Sequence, residues 1–323
     1  MRAIRNSDRL GAMRAIGIGE LLWDLLPTGP RLGGAPFNVI AHLGRLGCET
    51  GYFTAVGEDE LGTQALDEVR RLNVSASFVQ TVSVSTGVAR VRLNAYGVPD
   101  YDIVSPAAYE ALSAVESMSA VGAFDILVFG TLAQRSEGTA LTTRWLAEAQ
   151  PLAVRLYDLN LRPGCWNVPL VEQLLGLATV VKMNEEEASI LAEALSLDPD
   201  GAMALARSMS ARFGLEAVCV TRGPRGAALL CDGTYREAAA VPVDLVDTVG
   251  AGDAFAAGLA FGIAVGWTAE RVLDLGTRLA SLVASRPGAI PDWDPSELGM
   301  EIPRSNSGPG QVRVDAAEPG PRR

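Results

Sequence analysis

The sequence predicts an α/β fold in which a mostly parallel sheet is covered by helices on both faces. Short apolar runs typical of buried strands alternate with segments of helical periodicity along most of the chain. Parallel strands need crossover connections, which are usually helices, so this alternation favours a parallel sheet. The chain has 323 residues and 48% of them are hydrophobic, which suffices for two domains or for one large domain with an appendage.

The first half of the chain begins this alternation. Residues 15–19 (AIGIG) form a short apolar run typical of a strand. Residues 36–46 space their apolar side chains by three and four, as on one face of a helix. Residues 51–56 are again strand-like, and residues 61–72 are helical.

The second half repeats the two patterns and completes the predicted sheet. Further strands are predicted at residues 125–129, 154–158, 179–183, 217–221 and 227–230. Further helices are predicted at residues 138–150, 185–195, 202–213, 253–265 and 268–285.

One segment, residues 78–104, interrupts this order because it has no helical period. Apolar and polar residues alternate around Val88 and Leu93, and a turn is predicted at residues 96–99. A ribbon of this size does not fold alone. Together with residues 20–32 it is therefore predicted to form a β lid over the carboxyl ends of the main strands, a contact between two copies in a homodimer, or both.

The two ends of the chain differ from the part between them. The string MRAI occurs at residues 1–4 and again at residues 13–16, and periodic structure begins only with the second copy. Residues 304–323 are rich in Pro, Gly, Ser and charge. The sequence therefore predicts a disordered extension over residues 1–12, a single domain over residues 13–303 and a flexible tail.

Charge and composition argue against several classes of function. The chain has 27 basic and 38 acidic residues, a net charge of −11. Nucleic acids and anionic membranes attract basic surfaces, so we expect neither as a partner. The longest apolar run, residues 254–267, is shorter than the ~20 residues of a membrane-spanning helix. The four cysteines form no C-x-x-C pair and the N-terminus lacks an apolar signal core, which predicts a cytoplasmic protein with free thiols.

Two residue types occur once each, and this limits the available chemistry. His42 is the single histidine, which excludes a His-rich metal site; on a mostly apolar helix it is expected to be packed or at the surface rather than catalytic. Lys182 is the single lysine and follows Val181 rather than a glycine. The chain therefore has no G-x-x-x-x-G-K-[ST] phosphate loop, and only Lys182 could form a Schiff base.

The most informative motif is DTVGAGDAFAAG at residues 247–258, which follows the strand-like residues 241–246 and leads into an apolar helix. Small residues where a helix begins let backbone N–H groups approach an anion, and the helix dipole adds positive charge there. Asp253 lies in the first turn of this helix. From the residues alone it is either an ordinary helix cap or a base that takes a proton from a hydroxyl attacking a phosphoryl group.

A second motif, GGAPFNVIAHLGRLG, spans residues 33–47. Gly33 and Gly34 permit close approach of the backbone, and Asn38 follows one turn into the helix. An amide side chain donates and accepts hydrogen bonds, so Asn38 can hold sugar hydroxyls. The alternative is a turn followed by an ordinary amphipathic helix.

Together these two motifs resemble the signatures of the ribokinase-like, or PfkB, family of carbohydrate kinases, over roughly residues 14–292. NEEE at residues 184–187 is similar to the family's N-x-x-E motif, and TRGPRG at residues 221–226 is similar to its T-x-G-x-x-G segment. The resemblance implies a three-layer sandwich with a central mostly parallel sheet and a small β-sheet lid. It also implies ATP as the phosphoryl donor, together with Mg²⁺.

The resemblance further implies roles for individual residues. Asp253 would be the base that deprotonates the sugar hydroxyl. The anion hole for the transferred phosphoryl group would be formed by the backbone of Gly250, Ala251 and Gly252. Glu187 would act on Mg²⁺ through water, and Asp247 matches a position linked to a monovalent cation such as K⁺. The nucleotide would be bound by Asn184, Thr221, Gly223, Gly226 and Thr248.

The acceptor sugar would be bound at the carboxyl ends of the strands. By resemblance this role falls to Asp24, Gly34 and Asn38. DLNLRPGCW at residues 158–166 resembles a segment of fructokinases and 2-keto-3-deoxygluconate kinases, in which Arg162 would reach a substrate oxygen, a carboxylate or a phosphate. Gln134 follows a strand at the edge where α/β sheets bind ligands.

Three functions remain open. The sequence favours an ATP-dependent fructokinase. The second hypothesis is a kinase of the same fold for 2-keto-3-deoxygluconate, a ribose-like sugar or a nucleoside; residues 99–103 (PDYDI) lack the arginine that a keto-acid would favour. The third is a sugar-sensing protein that has lost catalysis, which the intact motifs argue against.

Overall fold

The structure is a computed structural model that describes residues 13–26, 29–93, 99–114, 121–198 and 200–303. Within these residues the strands, in chain order, are β1 (Arg14–Ile18), β2 (Leu22–Leu26), β3 (Gly29–Gly33), β4 (Glu49–Gly57), β5 (Val74–Ser75), β6 (Val79–Val82), β7 (Gly87–Leu93), β8 (Pro99–Ile103), β9 (Ile126–Phe129), β10 (Val154–Asp158), β11 (Val180–Asn184), β12 (Ala217–Thr221), β13 (Ala227–Cys231) and β14 (Thr234–Ala238). The helices are α1 (Ala35–Arg45), α2 (Glu60–Arg71), α3 (Glu137–Ala149), α4 (Val168–Leu177), α5 (Glu185–Ala194), α6 (Gly201–Phe213), α7 (Ala251–Val265) and α8 (Ala269–Ala284).

The large sheet is mostly parallel, as the alternation of strands and helices predicts. Its strand order is β14-β13-β12-β11-β10-β9-β1-β4-β5, and β6 also pairs with β4. The pairs β12–β13 and β13–β14 are antiparallel, and the other pairs of this sheet are parallel. The carboxyl ends of β1, β9, β10, β11 and β12 therefore meet along one edge.

Helices cover both faces of this sheet, because successive residues of a buried strand point to opposite sides. In β9, Ile126 and Val128 pack into one core with apolar residues of α1, α7 and α8. Leu127 and Phe129 pack into a second core with apolar residues of α3, α4, α5 and α6. The predicted α/β class and three-layer sandwich are confirmed.

The smaller sheet has four strands in the order β3-β2-β7-β8. Leu22 on β2 and Ala89 on β7 pack with Tyr109 and Leu132 in a third, small core. The segment 78–104 is thus divided between two sheets, because β6 pairs with β4 of the large sheet.

Most predicted elements lie within one or two residues of the observed ones, and three differences are clear. The strand-like residues 241–246 are not a strand; they have no regular structure and are exposed, and Val246 N donates to Ala284 O at the end of α8. Helix α4 and the short edge strands were not predicted. Residues 1–12, 94–98 and 304–323, which carry the predicted extension, most of the predicted turn and the tail, lie outside the described residues. None of the described helices has the length and apolar character that crossing a membrane requires.

Candidate active site

The carboxyl edge of the large sheet brings together polar residues from distant parts of the chain. Glu20 follows β1, Asp158 ends β10, and Lys182 lies in β11. All three are at most 7% exposed, and the Nζ atom of Lys182 lies 3.0 and 3.1 Å from the two carboxylate oxygens of Asp158. The first turn of α7 lies against this cluster, because a Cβ atom at Gly252 would be 3.2 Å from Lys182 Nζ.

The turn that begins α7 has the conformation expected of an anion-binding site. Gly250 caps the helix with φ 78°, a left-handed conformation that favours glycine. A Cβ atom at this position would lie 2.4 Å from the Cα atom of Ala289. The first N–H groups of a helix have no partners within the helix. Of the predicted anion-hole residues, Ala251 already donates its N–H to Thr248 O at 3.3 Å, so the N–H groups that follow it in this turn are the ones that can donate to an oxyanion.

Asp253 lies in this first turn and is held from the opposite side of the site. The side-chain amide of Asn38, on α1, donates to Asp253 Oδ2 at 2.7 Å. Burial raises the pKa of Asp253 to about 6, although Lys182, the Asn38 amide and Arg162 each lower it. The second polar atom of Asn38, its buried Oδ1, has no hydrogen-bond partner among the described residues. The structure therefore brings Asn38 and Asp253 together, with an acceptor left for a ligand.

Two sets of hydrogen bonds hold residues 288 and 289, and Ala289 packs against Gly250. Asp247 accepts from Val249 N at 3.0 Å and from Gly288 N at 2.9 Å, and its carboxylate lies 3.5 Å from the Arg31 guanidinium. His42 is fully buried; its Nε2 donates to Ala289 O at 3.0 Å, and its Nδ1 accepts from Trp293 Nε1 at 3.1 Å. His42 is thus packed, one of the two positions that the sequence leaves open, and its hydrogen bonds require the neutral form.

This neutral histidine should make the protein sensitive to acid. Burial lowers the pKa of His42 to about 4, from 6.5 for an ordinary histidine. Below pH 6.5 the unfolded chain takes up a proton that the folded chain refuses, so stability should fall as the pH drops from 6.5 to 4, by about 3 kcal/mol. Urea unfolding of the wild type and of His42→Gln across this range measures the effect. The variant should be less stable at pH 7 but should depend less steeply on pH; equal slopes would contradict the assignment.

Asp24 lies on the smaller sheet and faces the body of the protein. It pairs across the sheet with Arg31 on β3 and with Ala89 on β7, and a Cβ atom at Gly33 would be 3.2 Å from its Oδ2. Burial raises the pKa of Asp24 to about 6, and Arg162 opposes this effect. Because Arg162 lowers the pKa of both Asp24 and Asp253, it lies within electrostatic reach of the two carboxylates.

Gly34 and Gln134 complete the predicted sugar side. Gly34 has φ 133°, and a Cβ atom there would lie 2.2 Å from the carbonyl oxygen of Glu20. Gln134 follows β9; its amide nitrogen donates to Thr143 Oγ1 at 2.9 Å, while its buried Oε1 has no partner among the described residues. The side-chain nitrogen of Gln134 is therefore used within the fold, and its side-chain oxygen is left to accept a hydrogen bond from a ligand.

The residues predicted to bind the nucleotide begin at the ends of β11 and β12. Asn184 and Glu187 cap α5 reciprocally: each side chain accepts from the other's backbone N–H at 2.8 Å. The second oxygen of Glu187 accepts from Leu161 N, also at 2.8 Å. Each carboxylate oxygen keeps a further lone pair, so Glu187 can accept from a water bound to Mg²⁺. The described residues contain no cluster of three acidic, Cys or His side chains that would hold a metal alone.

The other residues predicted to bind the nucleotide are glycines or threonines that make hydrogen bonds with the backbone. Thr221 Oγ1 donates to Met183 O at 3.3 Å, and the carbonyl of Thr248 accepts from Ala251 N at 3.3 Å. Gly223 and Gly226 have φ 56° and 85°. A Cβ atom at Gly226 would lie 1.9 Å from Ala238 O, so this turn is closed tightly by β14. These contacts explain the residue types; binding of a nucleotide here stays a prediction.

Sequence reasoning assigned no role to three residues of the site, namely Glu20, Asp158 and Lys182. Glu20 Oε1 accepts from Ala35 N at 3.2 Å where α1 begins, and its buried Oε2 has no partner among the described residues. A signal for each was present: a charged residue directly after or within an apolar strand. A sequence alone does not tell which strands are neighbours, so their clustering was not predicted.

Comparison with known proteins identifies the family of this chain. A family model described as "pfkB family carbohydrate kinase" matches residues 28–295. A fructokinase of Klebsiella pneumoniae is 29% identical over 286 residues, 84% of this chain and 91% of that protein.

Two solved structures share the fold. A putative ribokinase II from E. coli in complex with ATP and Mg²⁺ has a TM-score of 0.74 at 23% identity, over 86% of this chain and 94% of that one. A 2-dehydro-3-deoxygluconokinase from Thermotoga maritima has a TM-score of 0.76 at 18% identity, over 89% and 98%. Since the family model covers most of the sequence, including residues 250–253, this chain belongs to the pfkB family of carbohydrate kinases.

Proposed function

We propose that the protein transfers the γ-phosphoryl group of ATP to a primary hydroxyl of a sugar, and that the sugar is fructose or a close ketose. The observation that carries the proposal is the placement of Asp253. It lies in the first turn of α7, beside the N–H groups that follow Gly250, and accepts from Asn38 at 2.7 Å. A carboxylate beside donors for an oxyanion can serve a hydroxyl that attacks phosphorus.

The reaction follows from this arrangement. The hydroxyl oxygen of the sugar forms a bond to the γ-phosphorus, and the bond from that phosphorus to the β–γ bridging oxygen breaks, which releases ADP. The proton of the hydroxyl goes to Asp253. N–H groups in the first turn of α7 stabilise the charge on the transferred phosphoryl oxygens. Asn38 orients Asp253 and offers its unpaired Oδ1 to a sugar hydroxyl.

Mg²⁺ and ATP are part of this proposal, and the E. coli structure with both ligands supports it by its shared fold. Mg²⁺ is usually bound by one or two carboxylates, substrate phosphates and water, and it neutralises phosphate charge. Asn184 and Glu187 would face it through water. The K⁺ prediction at Asp247 has less support, because that carboxylate is already bonded to Val249 N and Gly288 N and lies near the Arg31 guanidinium.

The choice of fructose rests on the hydroxyl-binding groups and on the Klebsiella relative, which is named a fructokinase. Asp24 and Asn38 approach the site from the smaller sheet and from α1, and both can accept hydrogen bonds from hydroxyls. The second candidate is 2-keto-3-deoxygluconate, because the charge of Arg162 acts on both Asp24 and Asp253 and a neighbour in fold, from Thermotoga maritima, bears the name 2-dehydro-3-deoxygluconokinase.

Substitutions of Asp24 and Arg162 should separate the two substrates. Asp24→Ala should raise KM for the sugar by about 5- to 150-fold and leave KM for ATP nearly unchanged, since an unpaired sugar hydroxyl costs about 1–3 kcal/mol. Arg162→Ala should cost about tenfold in kcat/KM for a neutral ketose. The loss should be larger for a keto-acid, whose carboxylate makes a charge-assisted pair.

The measurement is kcat/KM for fructose and for 2-keto-3-deoxygluconate on the wild type and both variants. Arg90→Ala is the control. Arg90 lies on β7 of the smaller sheet, which also carries Asp24, and it pairs with Asp102 at 3.7 Å. A wild-type preference for the keto-acid would refute the ketose assignment and leave the kinase assignment standing. Failure to phosphorylate any sugar in a broad panel would refute both.

A further inference from the structure

Lys182 is a buried charge that the mechanism above does not use. It is the single lysine of the sequence, lies in β11 and is only 7% exposed. Burying an ammonium group is costly unless it is paired, and Asp158 supplies the pair at 3.0 and 3.1 Å. An ion pair of this kind seldom adds stability over an apolar pair of the same size, so stability alone is a weak reason for it.

The position of the ammonium group connects it to the reaction. A Cβ atom at Gly252 would lie 3.2 Å from Lys182 Nζ, so the charge lies beside the residue that directly precedes Asp253 in the chain. Asp158 holds Nζ at this place through both carboxylate oxygens, which fixes the ammonium in a strand of the central sheet.

Lys182 remains charged in this environment. Burial lowers the pKa of Lys182, but the negative charges of Asp158, Asp253 and Glu187 outweigh burial and raise it. Several groups around the site interact with Asp253. Its pKa is affected by Lys182 on β11, Asn38 on α1, Arg162 after β10 and Glu20 after β1. Asp253 in turn raises the pKa of Asp158 on β10 and of Tyr52 on β4. Lys182 has the largest favourable effect of these on the charged form of Asp253.

We propose that Lys182, held by Asp158 beside Gly252, is a positioning residue that keeps the Asp253 carboxylate ionised. Without this charge, a carboxylate surrounded by other carboxylates and approached by a polyphosphate would take up a proton before the sugar hydroxyl could give it one. The role of Asp253 as base rests on the proposed function. The electrostatic link between Lys182 and Asp253 does not, and it can be tested without turnover.

The two partners of the ion pair should shift Asp253 in opposite directions. Lys182→Met removes the positive charge at nearly constant volume, so the titration midpoint of Asp253 should rise, by about one to two pH units. Asp158→Asn removes a neighbouring negative charge while its amide oxygen still accepts from Lys182, so the midpoint should fall. A purely structural role of the pair would move neither midpoint, whatever the two variants do to stability.

The midpoint is measured by NMR on the full chain labelled with carboxyl-¹³C aspartate, and the Asp253→Asn spectrum assigns the signal. The acidic limb of kcat/KM should shift in the same direction as the midpoint in each variant. Arg212→Met is the control, since it removes a positive charge from α6, where Arg212 pairs with Glu172 on the surface at 2.6 Å. Its midpoint should equal that of the wild type.

An unchanged midpoint in folded Lys182→Met, or a rise in Asp158→Asn, would overturn the proposal. If Lys182→Met does not fold, the double variant Lys182→Met/Asp158→Asn, which leaves no unpaired carboxylate beside residue 182, is compared with Asp158→Asn; its midpoint should be the higher of the two, and equal midpoints would overturn the proposal. If the wild type phosphorylates no sugar, the proposed function fails, and the NMR titration still supports or overturns the link between Lys182 and Asp253.

Discussion

Asp253→Asn should lower kcat by about 10²–10⁴-fold while sugar and ATP bind nearly as in the wild type. The amide is the same size as the carboxylate, and its oxygen can still accept from Asn38, which donates to Asp253 at 2.7 Å. It cannot take the proton of the attacking hydroxyl. The loss should therefore appear in turnover and not in affinity, as expected when only the transition state is affected.

Single-turnover kinetics with calorimetric binding of the sugar and of ATP would measure both quantities. Asp67→Asn is a suitable control, because it makes the same chemical change on α2, where the Asp67 side chain is 71% exposed. It should leave kcat unchanged. If the Asp253 variant is folded and turns over within a few-fold of the wild type, Asp253 is not the base.

Gly250→Ala should disable the anion-binding turn and destabilise the fold. The residue has φ 78°, and the new Cβ atom would lie 2.4 Å from Ala289 Cα and 2.6 Å from its carbonyl oxygen. The left-handed conformation alone costs about 1–3 kcal/mol for a side chain, and the contact with backbone forces the turn to move. Loss of one oxyanion donor typically costs 10²–10³-fold in kcat, so we expect at least a hundredfold loss.

Gly266→Ala is the matched control for this variant. Gly266 ends the same helix with φ 83°, but a Cβ atom there would have no atom within 4 Å. Gly266→Ala should be destabilised by the left-handed backbone alone, because the new Cβ atom meets no other atom, and it should turn over normally. Urea unfolding and kcat of the two variants make the comparison. Equal losses in both would refute a special role for the packing of Ala289 on Gly250.

Sequence reasoning succeeded where one local signal determines one element. The small residues before Asp253 place the start of α7 correctly, because few other residues permit that backbone. It missed α4, whose second residue is Pro169: a proline usually interrupts a helix, but it is tolerated in the first turn. It assigned strand character to residues 241–246 because apolarity does not distinguish a paired strand from an irregular segment held by the end of α8.

The sequence identified individual residues of the site but not the contacts between them. The motifs identified Asn38 and Asp253 separately, but their hydrogen bond joins residues 215 positions apart. Lys182 and Asp158 lie on neighbouring strands in register, and residue spacing does not reveal register. His42 was expected to be packed or at the surface; its two partners in the segment after α8 could not be inferred, because that segment has no periodic pattern.

Helix α1 contacts three parts of the site at once. Its first N–H meets Glu20, its amide at Asn38 meets Asp253, and its imidazole at His42 meets the carbonyl that lies beside Gly250. Residues 35, 38 and 42 are spaced by three and four, so they share one side of a rigid rod. A tilt or shift of that rod displaces all three attachments together. Such a displacement would change the contacts with Glu20, Asp253 and Ala289 together, so the geometry of these three parts of the site is coupled through one helix.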